Sequence, residues 1–218
     1  MKDDYTHITV ILDRTGSMES IRDDTIGGFN AFLNEQKTHS GKATLSLIQF
    51  DSQDPYEEIH QFKPLADIPE LTRNTYIPRA ATPLLDALGR GINTLENNLS
   101  ALEEDSQPSK IIFVVITDGM ENASQEFSRD QIEKMIKEKT EKEDWQFVFL
   151  SADFDAINEA GDIGFQTNKA YLFVKDRKGS IKAWNALSKR TSEYRSNIKK
   201  QFFFEQEDYE DSDDSDKK

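Results

Sequence analysis

The feature that most constrains the fold is a run of six consecutive apolar residues, Ile-Ile-Phe-Val-Val-Ile, at positions 111–116. A strand with one face in solvent alternates apolar and polar residues, so a strand without alternation is buried on both faces. Such strands are typical of the centre of a parallel sheet with helices on both sides. The run therefore predicts the central strand of an α/β domain.

The rest of the chain alternates between strand-like and helix-like patterns. Further strands are predicted at positions 8–12, 45–50, 56–62, 147–150 and 170–174. The 56–62 segment is polar and follows a short turn, which favours antiparallel pairing at an edge of the sheet. This order predicts a doubly wound, mostly parallel sheet with one antiparallel edge strand and helices on both faces.

Two helices have clear sequence signals, and a third has a distinctive stripe. Leucine and isoleucine recur three and four residues apart after Pro83, and Ser128 with Gln131 forms a capping-box pattern that opens another helix. The last helix carries six residues that are predicted to share one face: Ile181, Trp184, Leu187, Thr191, Tyr194 and Ile198.

Composition limits the kinds of site that the chain can build. The absence of cysteine excludes disulfides and thiolate zinc sites. The three histidines are scattered and are predicted to be solvated on the surface, which disfavours a histidine metal site or a Ser/His/Asp triad. A net charge of -14 argues against binding nucleic acid. The N-terminus lacks the apolar segment of a signal peptide and no apolar stretch is long enough to span a membrane, so a cytoplasmic protein is expected.

The acidic residues are concentrated at the C-terminus. Residues 205–218 contain eight acidic side chains and two lysines. Such a segment cannot bury apolar surface, so it is predicted to be a disordered, solubilising tail. The predicted division is one domain at 1–204 and an acidic tail at 205–218.

Polar residues follow two strands and precede one helix. Asp13, Thr15 and Ser17 come after the first strand, Asp118 follows the central strand, and Thr82 opens the leucine-rich helix. Ligands of doubly wound sheets bind at the carboxyl ends of strands, and carboxylate and hydroxyl oxygens suit magnesium. The alternative is that the Asp and Ser residues only cap helices. Their joint placement in three separate segments favours a metal site.

These residues resemble the metal-ion-dependent adhesion site (MIDAS) of von Willebrand factor A (VWA) domains. The resemblance covers about residues 8–174, and the stretches 82–88, 116–124 and 150–156 are similar to a cytoplasmic bacterial and phage branch of that family. Thr15 stands where serine is common, and an alanine precedes Thr82 where glycine is common.

The resemblance implies a six-stranded sheet with a cation at its rim. The expected ion is magnesium, with manganese or calcium as alternatives. Thr15 and Ser17 would bind it directly, Asp13 and Asp118 largely through water, and Thr82 in either way. A Glu or Asp of a partner protein would complete the coordination.

Other polar or small residues near the motifs have ordinary structural explanations. Arg14 is expected to be a solvated side chain, and Asp51 is expected to form a turn. Asp153 and Asp155 are expected to cap a loop rather than bind a second cation. The pair Gly27 and Gly28 is expected to allow close packing of a helix on the sheet, since no phosphate-loop pattern surrounds it.

Three functions are compatible with the sequence. The first is a non-enzymatic, cation-dependent protein-binding module. The second is a structural or assembly component of a phage or of a bacterial stress-response complex, in which the cation would only rigidify the rim. The third is a magnesium-dependent phosphoester hydrolase, which is disfavoured because the motif contains no lysine or histidine and no convincing nucleophile or general base.

Overall fold

The computed structural model describes residues 4–210. The strands in this range are β1 (Tyr5–Asp13), β2 (Lys42–Asp51), β3 (Asp54–Pro64), β4 (Lys110–Thr117), β5 (Gln146–Ser151) and β6 (Ala170–Leu172). The α-helices are α1 (Arg22–Thr38), α2 (Leu84–Ser100), α3 (Arg129–Glu143), α4 (Phe154–Asp162) and α5 (Arg177–Arg195). No helix among residues 4–210 is both long and apolar enough to cross a membrane.

The six strands form one sheet in the order β3-β2-β1-β4-β5-β6. All neighbours are parallel except β2 and β3, which pair antiparallel at one edge. This is the predicted α/β, doubly wound sheet with one antiparallel edge strand. Because β1 and β4 are neighbours, with Leu12 paired to Ile116, the residues that follow both strands meet at the same rim.

The run of six apolar residues forms the buried centre of the sheet, as predicted. Ile112 and Val114 pack in a cluster with residues of α1 and α5, whereas Phe113 and Val115 pack in a second cluster with residues of α2 and α3. Each of these four side chains is fully buried. The strand thus carries an apolar layer on each face, which explains why its sequence does not alternate.

Gly28 serves the contact between α1 and α5, not a contact between α1 and the sheet. A Cβ atom at Gly28 would lie only 2.0 Å from the indole ring of Trp184. That ring also packs edge-on against Phe29, with centroids 6.2 Å apart. The expectation of close packing was therefore correct, but the partner is a helix.

The predicted stripe on the last helix is correct only in its middle. Trp184, Leu187, Thr191 and Tyr194 are buried, whereas Ile181 is 47% exposed and Ile198 is 70% exposed. Helix α5 ends at Arg195, and Asn197 has a positive φ of 58° that turns the chain away from the helical direction. Ile198 therefore leaves the stripe that the periodicity predicted.

The helix α4 was not predicted, and Asp153, which was expected to cap a loop, caps this helix instead, with Asp155 in its first turn. The Asp153 carboxylate accepts hydrogen bonds from the backbone N–H groups of Asp155 and Ala156, at 2.7 and 3.2 Å. It is thus the N-cap of α4.

His7 is buried, contrary to the expectation that the histidines lie in solvent. Its Nδ1 lies 2.8 Å from the Thr44 hydroxyl, and its ring stacks on Phe62 with centroids 3.8 Å apart. Burial lowers the pKa of His7 to about 3, so the ring is neutral at physiological pH.

The packed part of the chain extends past the expected boundary at residue 204. Arg190 forms a buried ion pair with Asp208 at 2.7 Å, and the Tyr209 ring stacks on Tyr171 with centroids 4.6 Å apart. An arginine inside α5 and an aromatic neighbour thus give the first acidic residues a binding surface that composition did not indicate. Residues 211–218 of the expected tail lie outside the described residues.

Candidate metal site

The segment after β1 turns sharply at the rim of the sheet. The backbone N–H of Thr15 donates to Oδ1 of Asp13 at 2.6 Å, and the N–H of Gly16 donates to the carbonyl of Ala80 at 3.0 Å. A short 3-10 helix, Gly16–Ile21, follows directly. The turn fixes Asp13 beneath the rim, where it is fully buried.

The hydroxyls of this segment face the end of β4. Thr15 Oγ1 lies 3.1 Å from Ser17 Oγ, and Ser17 Oγ donates to Asp118 Oδ1 at 2.5 Å. Thr117 Oγ1 donates to Asp13 Oδ2 at 2.5 Å. Four of the five predicted residues therefore form one connected cluster: Asp13, Thr15, Ser17 and Asp118.

Thr82 reaches the same place from the third segment. A Cβ atom at Gly119 would lie 3.7 Å from Ser17 Oγ and 4.0 Å from Thr82 Oγ1, so the two hydroxyls flank Gly119. The backbone of Thr82 is fixed by Asn122, whose side chain accepts from the Thr82 N–H at 2.8 Å and whose own N–H donates to the Thr82 carbonyl at 3.0 Å. The structure thus brings all five predicted residues together.

The helix-cap explanation accounts for only part of this arrangement. One oxygen of Asp13 does accept a local backbone N–H, as a turn-forming aspartate would. The N-cap residue of the following 3-10 helix, Thr15, makes no side-chain cap hydrogen bond, and Ser17 Oγ bonds across to Asp118. A serine hydroxyl that bonds a distant carboxylate, with a threonine hydroxyl beside it, favours a ligand site over simple helix capping.

The loop that presents Thr82 is held from several sides. Ala80 adopts a positive φ of 60°, a conformation that costs energy for a residue with a side chain. The loop is kept there by the Gly16 N–H on the Ala80 carbonyl, and by the Ala81 N–H on Ser52 Oγ at 3.1 Å. Tyr76 donates its hydroxyl to the Asp13 carbonyl at 2.6 Å.

Two carboxylates that were not predicted anchor the start of α2. Asp86 accepts the backbone N–H groups of residues 125–127, each at 2.9 Å. Glu121 accepts the N–H of Leu85 at 2.9 Å and the hydroxyl of Ser124 at 2.7 Å. Both lie in stretches that carried the family resemblance, which was the only available signal. They join the Thr82 segment to the loop after Asp118.

Arg14 is buried and ion-paired, not solvated as expected. It binds Asp51 at 2.8 Å and also pairs with Glu57, so it points away from the hydroxyl cluster toward β2 and β3. Asp51 also binds Arg79 at 2.9 Å. Its other oxygen accepts the N–H groups of the turn, as predicted, at 2.7 and 3.1 Å.

Asp13 has no positively charged partner among residues 4–210, whereas the carboxylates of Asp51 and Glu57 are paired with Arg14. Burial raises the pKa of Asp13 to about 7, although hydrogen bonds from Thr117 and Thr15 lower it, and the nearby charge of Asp118 raises it further. Among residues 4–210, no lysine or arginine pairs with Asp13.

Lys175 is the residue of the site that sequence reasoning missed. Its Nζ lies 2.6 Å from Asp118 Oδ2 and 3.2 Å from the Ser17 carbonyl. The motif itself has no lysine, as noted from the sequence, but the fold supplies one. The available signal was its position three residues after the end of β6, at the same rim of the sheet.

The cluster has the donor chemistry of a site for a hard divalent cation. It offers two carboxylates and three neutral hydroxyls, all of them oxygen donors of the kind that magnesium and calcium take. Within the described part of the chain, no group of three or more His, Cys, Asp or Glu side chains is arranged to hold a metal. The five residues present fit such an ion through their carboxylate and hydroxyl oxygens.

No family model matches the sequence, and no curated protein sequence matches it. Solved structures do match. The pilus adhesin SpaC from Lactobacillus rhamnosus GG, in an open conformation, superposes with a TM-score of 0.63 at 13% identity, over 86% of this chain and 30% of that chain. A von Willebrand factor type A structure from Catenulispora acidiphila gives 0.58 at 12% identity, over 86% and 43%. Proximal thread matrix protein 1 from the mussel byssus, with a zinc-occupied MIDAS motif, gives 0.57 at 12% identity, over 88% and 47%.

These neighbours show that the chain has the VWA-type fold, as the resemblance implied. Identities of 12–13% concern the fold alone. The chain spans less than half the length of each of these proteins. The cation and the assignment to the bacterial and phage branch remain predictions from the residues.

Proposed function

We propose that this chain is a non-enzymatic protein-binding module whose contacts depend on a divalent cation, with magnesium as the physiological ion. Asp13, Thr15, Ser17, Thr82 and Asp118 hold the ion. A Glu or Asp of the partner protein replaces a water on it and completes the coordination.

One observation carries this proposal. Ser17 Oγ lies between Thr15 Oγ1 and Asp118 Oδ1, at 3.1 and 2.5 Å, and shares the space above Gly119 with Thr82 Oγ1. Three segments distant in sequence thus aim oxygen ligands at one point of the rim. A fold does not require this convergence, whereas a bound cation does.

The donors favour magnesium over a softer metal. Thiolate and imidazole ligands select zinc and copper, and neither is among the five residues. Hydroxyl and carboxylate oxygens suit magnesium, manganese and calcium. The zinc in the mussel protein supports a divalent ion at a comparable motif, but the identity of the ion in this chain is argued from its own donors.

The surroundings of the cluster support a protein as the partner. Met120, Phe154 and Val174 are 43%, 63% and 68% exposed, and each follows the end of one of the neighbouring strands β4, β5 and β6. Single exposed apolar residues are common, but three at one rim beside a candidate cation site form a surface that a protein partner can cover.

The arrangement of the histidines supports binding rather than hydrolysis. His7 contacts Thr44 and Phe62, and His39 lies 2.7 Å from Ser192 Oγ, so both are engaged elsewhere in the fold. His60 lies on the edge strand β3.

The cytoplasmic setting that we also propose rests on the likeness of stretches 82–88, 116–124 and 150–156 to a cytoplasmic branch of VWA domains.

The first test is calorimetry of Mg²⁺ and Mn²⁺ binding to the full chain. Ser17→Ala should weaken binding about 100-fold or more, since even an outer partner of a metal ligand contributes roughly 10–100-fold. Ser20→Ala is the matched control, because Ser20 is an exposed serine of the same 3-10 helix whose hydroxyl donates to the Ser17 carbonyl and not to an oxygen of the cluster. Equal affinities in the wild type and both variants would refute the site.

The second test is affinity capture in Mg²⁺ or in chelator. Partners of the proposed kind are retained by the wild type and by Ser20→Ala in Mg²⁺, and are lost in chelator and with Ser17→Ala. If chelation lowers stability while every captured partner persists, the cation is only structural. Phosphoester turnover that disappears in Asp118→Ala would instead support a hydrolase.

A further inference from the structure

Lys175 forms the ion pair of the candidate site that nothing in the motif anticipates. Its ammonium contacts Asp118 Oδ2 at 2.6 Å and the Ser17 carbonyl at 3.2 Å. The Asp118 side chain is fully buried, while 37% of the Lys175 side chain is exposed. The lysine therefore approaches from solvent and covers a buried carboxylate.

The backbone that carries Lys175 is rigid, although its side chain is partly exposed. The Asp176 N–H donates to the Val174 carbonyl at 2.7 Å, and the Asp176 carboxylate caps α5 by accepting the Gly179 N–H at 2.7 Å. A Cβ atom at Gly179 would lie 2.2 Å from the Val174 carbonyl oxygen, so only glycine fits. This tight turn fixes the Cα of Lys175 at the rim.

We propose that Lys175 is an internal cation that competes with the divalent ion and sets the affinity of the site. This inference rests on the proposed function. In the cation-free protein the ammonium neutralises Asp118. When a divalent cation binds, the ammonium leaves Asp118 Oδ2 and moves toward solvent, while the backbone at the start of α5 stays in place. Lys175 is thus a residue that determines the affinity of the site, not a ligand of the ion.

The charges explain the direction of the effect. Asp118 is a buried carboxylate, and Lys175 lies against it at contact distance. A divalent ion bound to the same carboxylates must either displace the ammonium or lie beside it. Like charges a few ångströms apart repel each other, and the repulsion is stronger near a protein surface than in bulk water. Removing the ammonium should therefore tighten cation binding.

The test compares Lys175→Met with the wild type by calorimetry with Mg²⁺ alone and with Mn²⁺ alone. Lys175→Met should bind either ion roughly tenfold more tightly. Lys175→Arg retains the charge and should stay close to the wild type. Lys137→Met is the charge-matched control, because Lys137 is an exposed lysine on α3. An unchanged dissociation constant in Lys175→Met, with wild-type binding intact, would overturn the inference and leave the proposed function standing.

A second readout separates competition from a merely structural role. In chelator, Lys175→Met should melt at a lower temperature than the wild type, because Asp118 loses its counter-ion. In saturating Mg²⁺ this difference should vanish or reverse, because the metal takes over the same charge. An equal loss of melting temperature in both buffers would show that Lys175 only supports the fold. If no variant binds either ion, this inference and the proposed function both fail.

Discussion

Two buried aspartates at the ends of neighbouring strands are held in opposite ways. Asp13 ends β1 and Asp51 ends β2, both are fully buried, and each accepts the N–H of the residue two positions later. Asp51 is paired with Arg14 and Arg79, whereas Asp13 receives only hydroxyl and N–H donors from the described residues.

The two aspartates differ in whether an arginine neutralises their charge. Burial acts to raise the pKa of Asp51, but the Arg79 hydrogen bond, the turn N–H groups and the Arg14 charge together hold it below the usual value. No such cation acts on Asp13, and the charge of Asp118 raises its pKa further. The same turn geometry thus holds an ion-paired carboxylate at the end of β2, and at the end of β1 a carboxylate that no lysine or arginine of residues 4–210 neutralises.

The largest expected effect on stability comes from removing the structural aspartate. Asp51→Asn leaves Arg14, whose side chain is 7% exposed, with the half-exposed Glu57 as its one anionic partner among residues 4–210. Breaking a buried ion pair by removing one partner costs about 3–5 kcal/mol, and the remaining Glu57 contact favours the lower end. Urea unfolding should show this loss equally in chelator and in Mg²⁺. A loss confined to one buffer would mean that Asp51 takes part in cation binding.

Asp13→Asn should weaken Mg²⁺ binding while leaving stability in chelator nearly unchanged. In chelator the free energy of unfolding should change by less than about 1 kcal/mol, because a buried unpaired carboxylate is costly and its amide keeps the same shape. Mg²⁺ binding should weaken by about 100-fold or more, measured by calorimetry. If Asp13→Asn is as destabilising in chelator as Asp51→Asn, the contrast between the two aspartates is wrong.

His7 is a third buried ionisable group, kept neutral rather than paired, and it predicts a pH dependence. Its folded-state pKa of about 3 lies below the unfolded value of 6.5. The unfolded chain therefore binds more protons between these values, so stability is complete above pH 6.5 and falls as the pH drops toward 3. The slope from this group approaches about 1.4 kcal/mol per pH unit.

The measurement is urea unfolding of the wild type and His7→Gln between pH 7 and pH 4, in chelator. His7→Gln should have a shallower dependence on pH, because glutamine cannot take up the proton. Parallel curves for the two proteins would show that His7 is accessible or protonated in the folded state.

The sequence predicted well those features that depend on local patterns or on strand ends. The apolar run at 111–116 identified the central strand. The rule that ligands bind at strand ends indicated Asp13, Thr15, Ser17 and Asp118, and Thr82 was added from the start of the leucine-rich helix. Periodicity is a property of neighbouring residues, so it also identified α2 and the middle of the stripe on α5.

The burial and ion pairs of three side chains, Arg14, His7 and Lys175, were not predicted, because each depends on a partner far along the chain. Arg14 was expected in solvent, but it is buried against Asp51, which lies on another strand. His7 was also expected in solvent, but Phe62 of β3 covers its ring. Lys175 reaches Asp118 only because β6 ends at the same rim as β4. Neither the spacing nor the composition of the local sequence carries such information, since it arises from the order of the strands.

The smallest expected effect concerns Thr15, where the chain departs from the usual serine. Thr15 is buried and its hydroxyl faces Ser17 Oγ, while its methyl group restricts rotation about χ1. Thr15→Ser keeps the hydroxyl but frees that rotation, so Mg²⁺ affinity should fall by only about twofold, corresponding to about 0.5 kcal/mol of side-chain entropy.

Thr15→Val is the matched control, because valine keeps the branched shape and removes only the oxygen. If Thr15 is a ligand, valine should weaken Mg²⁺ binding far more than serine does. Equal effects of the two substitutions would show that Thr15 shapes the turn after Asp13 without ligating the ion. The site would then consist of Ser17, Thr82 and the two aspartates. Thr15, like Asp51, would stabilise the fold without binding the ion.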